Sequence, residues 1–103
     1  MIIKIDPAKQ AETIKNSITQ ATQDRLDAFA KTRNYDGILS ACTYATSANP
    51  KFADEGQYCV ESRDATWAKL YDIYEEVKAG TRPMPSGYDA IKGELPVLEW
   101  PDA

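Results

Sequence analysis

Few residues in this chain have side chains suited to chemistry. Cys42 and Cys59 fall on consecutive helical stretches joined by a short turn. A reactive thiol needs a base or a helix N-terminus to lower its pKa, and neither stands beside these two. Free cysteine buries readily, so both read as core thiols. Arg63 falls on an apolar stripe between Val60 and Trp67. A buried guanidinium needs a carboxylate or several carbonyls, and would then clamp an anion or substrate. No second basic residue or Gly-rich loop accompanies it. The plainer reading is an internal ion pair, with Asp36 or a helix C-terminus, or a stem that reaches solvent. Tyr71, Asp72, Tyr74, Glu75 and Glu76 form an acidic, aromatic run of the kind that metal or sugar sites use. Its spacing brings too few oxygens together for a metal, so the tyrosines read as half-buried and the acids as solvated.

The missing residue type decides more than those present. The chain has no histidine. That removes the Ser-His and Cys-His nucleophile pairs, an imidazole base near neutral pH and any histidine-containing zinc site. Two cysteines cannot make a four-thiolate site. Carboxylate chemistry remains, without a phosphate loop or dinucleotide fingerprint to support it. The expectation is a non-enzymatic protein with no metal and no cofactor.

These residues sit in a chain of 103, enough for one compact domain with one modest core. Apolar residues make up 43% of it, which suits a globular fold. Net charge is −4 and the sequence pI about 4.7, so a phosphate backbone would be repelled and nucleic acid is not an expected partner. No apolar stretch is long enough to span a membrane. Met1-Ile2-Ile3-Lys4-Ile5 is too short for a signal-peptide core. The expected compartment is the cytoplasm, where the cysteines stay reduced.

Helices must position whatever site exists. Asp6-Pro7 predicts a helix start, with Asp as N-cap and Pro at the first helical position. Nothing breaks that helix before about Thr32. Its apolar stripe (Ala11, Ile14, Ile18, Ala21, Leu26, Phe29, Ala30) is thin and surrounded by polar residues. Such a helix could pack on its own domain, self-associate as a homodimer, or lie against a partner. Arg33-Asn34-Tyr35-Asp36-Gly37 predicts a turn. A shorter helix rich in small residues follows, from about Gly37 to Ser47. Asn49-Pro50 opens a long central helix that ends at Gly80. Its predicted core is Phe52, Val60, Trp67, Leu70, Tyr71 and Tyr74. Gly56 within it costs about 1 kcal/mol relative to Ala, which close packing against the small-residue helix would explain.

After Gly80 the prolines force an extended chain through Pro85. A short helix is predicted at about Gly87 to Lys92. The chain then ends in an apolar, Pro-punctuated tail, Leu95-Pro96-Val97-Leu98-Glu99-Trp100-Pro101-Asp102-Ala103. Leaving such residues in water is costly, about 2–3 kcal/mol for a Trp or Leu. The tail therefore folds back over the helices or docks into another protein. Ile14, Ile18, Leu98 and Trp100 are the candidate partner contacts. The expected fold is all-α: a small three- to four-helix domain with a long N-terminal helix, a long central helix and an extended Pro-rich tail. Residues 1–34 form the N-terminal helix, and 35–103 a helical module.

Several runs in that module form a recognisable pattern. They are Tyr35-Asp36-Gly37-Ile38-Leu39-Ser40-Ala41-Cys42-Thr43-Tyr44-Ala45-Thr46-Ser47, Asn49-Pro50-Lys51-Phe52-Ala53-Asp54-Glu55-Gly56, Arg63-Asp64-Ala65-Thr66-Trp67-Ala68, Val77-Lys78-Ala79-Gly80-Thr81-Arg82-Pro83-Met84-Pro85 and the ending Glu94-Leu95-Pro96-Val97-Leu98-Glu99-Trp100-Pro101. Together they resemble a small helical module of tailed-bacteriophage and prophage tail regions, grouped with tail-fibre assembly proteins. The Glu-Trp-Pro ending is similar to that of many tail-fibre assembly chaperones. The resemblance spans about Tyr35 to Pro101 and brings no catalytic residues. It implies a phage tail assembly factor, a chaperone for a tail fibre or other tail component, working in the host bacterial cytoplasm through another phage tail protein. The alternative is a minor structural protein retained in the virion tail.

Overall fold

A computed structural model of the chain describes residues 7–101. The described residues are all-α, without a strand. Two long helices, α1 (Pro7–Lys31) and α3 (Pro50–Lys78), are joined through a short α2 (Ile38–Cys42) and a 3-10 turn, Thr43–Thr46. Two further 3-10 turns, Tyr88–Ala90 and Lys92–Glu94, lead into the tail. No helix among the described residues is long and apolar enough to cross a membrane.

Local chemistry sets the boundaries. At the start of α3 the Asn49 side chain accepts hydrogen bonds from the Lys51 and Phe52 amides, at 3.0 and 3.3 Å. It thereby satisfies two of the donors that a helix N-terminus leaves open, ahead of a proline that has none to lose. The Asp6 cap expected for α1 lies outside the described residues. Both long helices end in one motif. After α1, Asn34 takes a φ of 70°, and the Tyr35 amide reaches back to the Ala30 carbonyl at 3.3 Å. After α3, Gly80 takes a φ of 78°, and the Thr81 amide reaches the Glu76 carbonyl at 3.1 Å. In each case a left-handed residue turns the chain so that orphan carbonyls find donors.

The second helix is shorter than its sequence suggests, because only Ile38–Cys42 is α-helical and the rest tightens to 3-10. Its N-terminus is capped from another helix: Asp27 Oδ1 of α1 accepts from the Ile38 amide at 2.9 Å and from the Gln23 side chain at 3.1 Å. A Cβ on Gly37 would stand 2.9 Å from that same oxygen, so the glycine supplies room for the carboxylate. The helix expected after Gly87 is likewise two 3-10 turns.

The core has two apolar clusters. The first gathers Ile18, Leu70, Ile73, Ile91 and Leu95, with Ile14, Trp67, Tyr74 and Tyr88 against it. The second gathers Leu26, Ala30, Ile38, Ala41 and Cys59, with Phe29, Tyr35, Trp67, Leu98 and Trp100 among its flanks. Buried polar residues, Thr22 on α1 with Ser62 and Thr66 on α3, lie between these two sets in chain order. Trp67 touches both clusters.

This packing corrects the predicted core. The buried positions of α3 are Glu55, Gly56, Cys59, Ser62, Thr66, Leu70 and Ile73. Phe52 is 41% exposed and Tyr71 is 64% exposed, so neither is core, whereas Leu70 is. Val60, Trp67 and Tyr74 are half-buried at the margin. The true stripe is rotated by about one residue, roughly 100° of helix, from the one hydrophobicity alone selects. Ser62 and Thr66 occupy the buried face, and their polarity masks it. Arg63 is exposed, as its position one residue beyond Ser62 requires.

Candidate interaction site

Aromatic and charged residues gather at the end where α1 stops, α3 starts and the tail returns. The left-handed turn at Asn34 brings Arg33 and Tyr35 over the second turn of α3. There Glu55, only 4% exposed, accepts from Arg33 Nη1 at 2.6 Å and from the Tyr35 hydroxyl at 3.0 Å. A buried carboxylate needs such partners, and both its oxygens are used. Burial pushes the Tyr35 phenol up to about 12, and the hydrogen bond and charge of Glu55 push the same way.

Aromatic rings surround this pair. Tyr44, on the 3-10 turn, sits 5.3 Å from Tyr35 and 5.8 Å from Phe52, centroid to centroid. Gly56 makes that placement possible, because the 3-10 backbone rests directly on it: a Cβ there would lie 2.3 Å from the Ala45 nitrogen. From the tail, Trp100 stacks on Phe29 at 4.2 Å and 19°. Its ring lies 6.2 Å from Tyr58 and 5.1 Å from the Arg33 guanidinium. Offset rings and a cation over a π face each add attraction beyond the buried area.

Two open clefts flank the first turns of α3. One, about 360 Å³, is lined by Thr32, Arg33, Asn34, Tyr35, Tyr44, Lys51, Phe52 and Glu55. The other, about 540 Å³, is lined by Lys51, Asp54, Glu55, Gln57, Tyr58, Glu61 and Pro101. Lys51 and Glu55 border both. The first cleft offers exposed aromatic edges beside an ammonium, and the second an acidic rim over a tyrosine. Such surfaces suit binding.

The thiols are not poised to react. Burial pushes Cys59 up to about 12 and raises Cys42, so both are protonated at neutral pH. No group of three or more cysteine, aspartate or glutamate side chains among the described residues is placed to hold a metal. The acidic run stays on the outside, with Asp72, Glu75 and Glu76 exposed, and Glu76 pairs with Arg82 at 3.5 Å.

The predicted contacts are placed differently from one another. Ile18 is fully buried in the first cluster and presents nothing to a partner, because α1 turns that face to α3. Ile14 packs half-buried beside it. Leu98 and Trp100 fold back onto the second cluster, far from Ile18 along α1. Sequence reasoning overlooked Glu55, Tyr58 and the pairing of Arg33. The available signal was a lone carboxylate in step with Cys59 and Ser62, together with the density of aromatics from Phe29 to Tyr58. Compared with known proteins, the chain matches no family model, no curated protein and no solved structure.

Proposed function

We propose that this chain is a non-enzymatic phage tail assembly factor, a chaperone for a tail fibre or another tail component, acting in the host cytoplasm by protein–protein binding. The observation that carries the binding reading is the exposed Tyr44–Phe52 edge contact, 5.8 Å between centroids, at the mouth of a cleft bordered by Lys51. Rings 39% and 41% exposed, with Tyr44 packed against Tyr35, are well suited to anchoring a partner. The setting comes from the resemblance of residues 35–101 to phage tail-region modules.

The test is co-expression with the tail-fibre polypeptide of the same phage. Soluble, assembled fibre should increase with the chain present. It should fall back when Phe52→Ser and Lys51→Glu, both exposed positions, are combined. Fibre equally soluble without the chain would sink the proposal. Mass spectrometry of purified particles should find the chain absent or scarce. A stoichiometric presence would make it a structural component instead.

A further inference from the structure

The tail lies on the protein as a ligand lies in a groove. Leu95 leaves the last 3-10 turn at φ −75° and ψ 151°, in the polyproline II region, and Pro96 and Pro101 hold the path extended. Among the described residues, nothing in 96–101 shares a backbone–backbone hydrogen bond. Side chains of the long helices, and Thr32 just after α1, hold the segment instead. Arg25 Nη2 donates to the Pro96 carbonyl at 2.9 Å, and the Glu99 amide donates to the Tyr58 hydroxyl at 2.8 Å. The Trp100 indole donates to Thr32 Oγ1 at 2.9 Å while its ring stacks on Phe29.

The floor of this groove is built without the tail. All buried members of the second cluster come from α1, α2 and α3, and the tail adds only the partly buried Leu98 and Trp100. Val97, just before Leu98, is 81% exposed. Leu95 differs, being buried in the first cluster, and it anchors the segment. An aromatic groove that grips an extended Pro-flanked segment by side-chain donors and acceptors is how polyproline II ligands are recognised.

We infer that the α1–α3 groove is a recognition site for an extended, proline-flanked, tryptophan-bearing segment of a partner protein, and that residues 96–101 are its resident stand-in, displaced when the partner binds. This deepens the binding function proposed above and rests on it. A partner sharing the tail's chemistry would meet the same donors and the same stacking face.

The probe is a fluorescein-labelled peptide, Pro-Val-Leu-Glu-Trp-Pro, matching residues 96–101. The full-length Trp100→Ala chain, checked for unchanged helical circular dichroism, should bind it at least about tenfold more tightly than the wild-type chain, whose tethered tail competes at high effective concentration. Tyr58→Phe in that background should weaken binding several-fold, and a peptide with Ala for Trp should not bind. A folded Trp100→Ala chain that binds no more tightly than wild type overturns the proposal.

Should Trp100→Ala fail to fold, the wild-type chain labelled with fluorotryptophan serves. Excess unlabelled peptide should shift the ¹⁹F resonance of Trp100 and leave that of Trp67. A Trp100 resonance unmoved at about 5 mM peptide, near the effective concentration of a short tether, overturns it too. Light scattering should find the wild-type chain monomeric where the peptide binds. A dimer that the peptide dissolves would overturn the assignment in favour of tail exchange between copies. Failure here leaves the co-expression experiment untouched, since that one probes Phe52 and Lys51.

Discussion

Gly56 of α3 lies against the Ala45 backbone so closely that a Cβ on it would stand 2.3 Å from the Ala45 nitrogen and 2.9 Å from its Cα. Backbone cannot move aside as a flexible side chain can. Gly56→Ala should therefore destabilise the protein by about 1–3 kcal/mol from overpacking, even though helix propensity alone favours Ala by about 1 kcal/mol. Gly93, with open space around it, is the control and should change little on mutation to Ala. Urea unfolding followed by circular dichroism reads both. An unchanged midpoint for Gly56→Ala would remove the close approach.

The Glu55 network should respond as a coupled unit. Tyr35→Phe deletes one hydrogen bond to a buried carboxylate, at a cost of about 1.5–3 kcal/mol. Glu55→Ala removes the anion that both Arg33 and Tyr35 face, and should cost more than Tyr35→Phe because both hydrogen bonds to the carboxylate are lost. The double variant should cost less than the sum, because the Tyr35 hydroxyl has no partner once Glu55 is gone. Strict additivity would mean that the two do not interact.

Stability should fall on the alkaline side. The Tyr35 phenol and the Cys59 thiol each reach about 12 in the folded protein, above their ordinary values of 10.0 and 9.0. Groups whose folded pKa is raised stabilise fully below the unfolded pKa, and that contribution is lost as pH rises through the folded one. Unfolding midpoints should therefore stay flat from about pH 7 to 8 and decline from about pH 9 upward as the unfolded state ionises. Tyr35→Phe should flatten the part that begins near pH 10, and Cys59→Ala the part that begins near pH 9. At acid pH the sign reverses for Glu94. Arg82, which donates to it at 2.8 Å, holds its carboxyl below the ordinary value. The stability this pair adds is lost as pH falls through that lowered value.

Thr66 is fully buried, and its hydroxyl has no hydrogen-bond partner among the described residues. Thr66→Val keeps the shape and removes an unsatisfied polar group, so it should raise stability by about 1 kcal/mol. The shift in Tm by calorimetry checks this. A clear loss of stability would mean that the hydroxyl is bonded in solution.

Much of the helical scaffold was legible in the sequence. Pro50 after Asn49 marks the start of α3, Gly80 marks its end, and the absence of Gly and Pro marks the length of α1. Gly56 also announced a close approach, since a costly residue in mid-helix needs a packing reason. The buried face of α3 was not legible. Ser62 and Thr66 face inward while Tyr71 faces out, so polarity and burial disagree there. The site was hidden for a related reason: Glu55 is a charged residue on an inward face, intelligible only once Arg33 and Tyr35 arrive from across the molecule. The return of Trp100 depended on a partner, Phe29, that no local rule links to it.

The buried hydroxyl residues Thr22 on α1, and Ser62 and Thr66 on α3, which separate the two apolar sets along their helices, have a further consequence. A core of uniform aliphatic residues would let two long helices slide past one another by a turn, about 5.4 Å, at little cost. Here such a slip would carry Leu26 or Ile18 into the position of Thr22 and Thr22 into an apolar one. These hydroxyl residues thus act as a notch that fixes the axial register of α1 on α3. Because Arg33 can meet Glu55 only in that register, the notch in the middle of the molecule also sets the alignment of the site at its end.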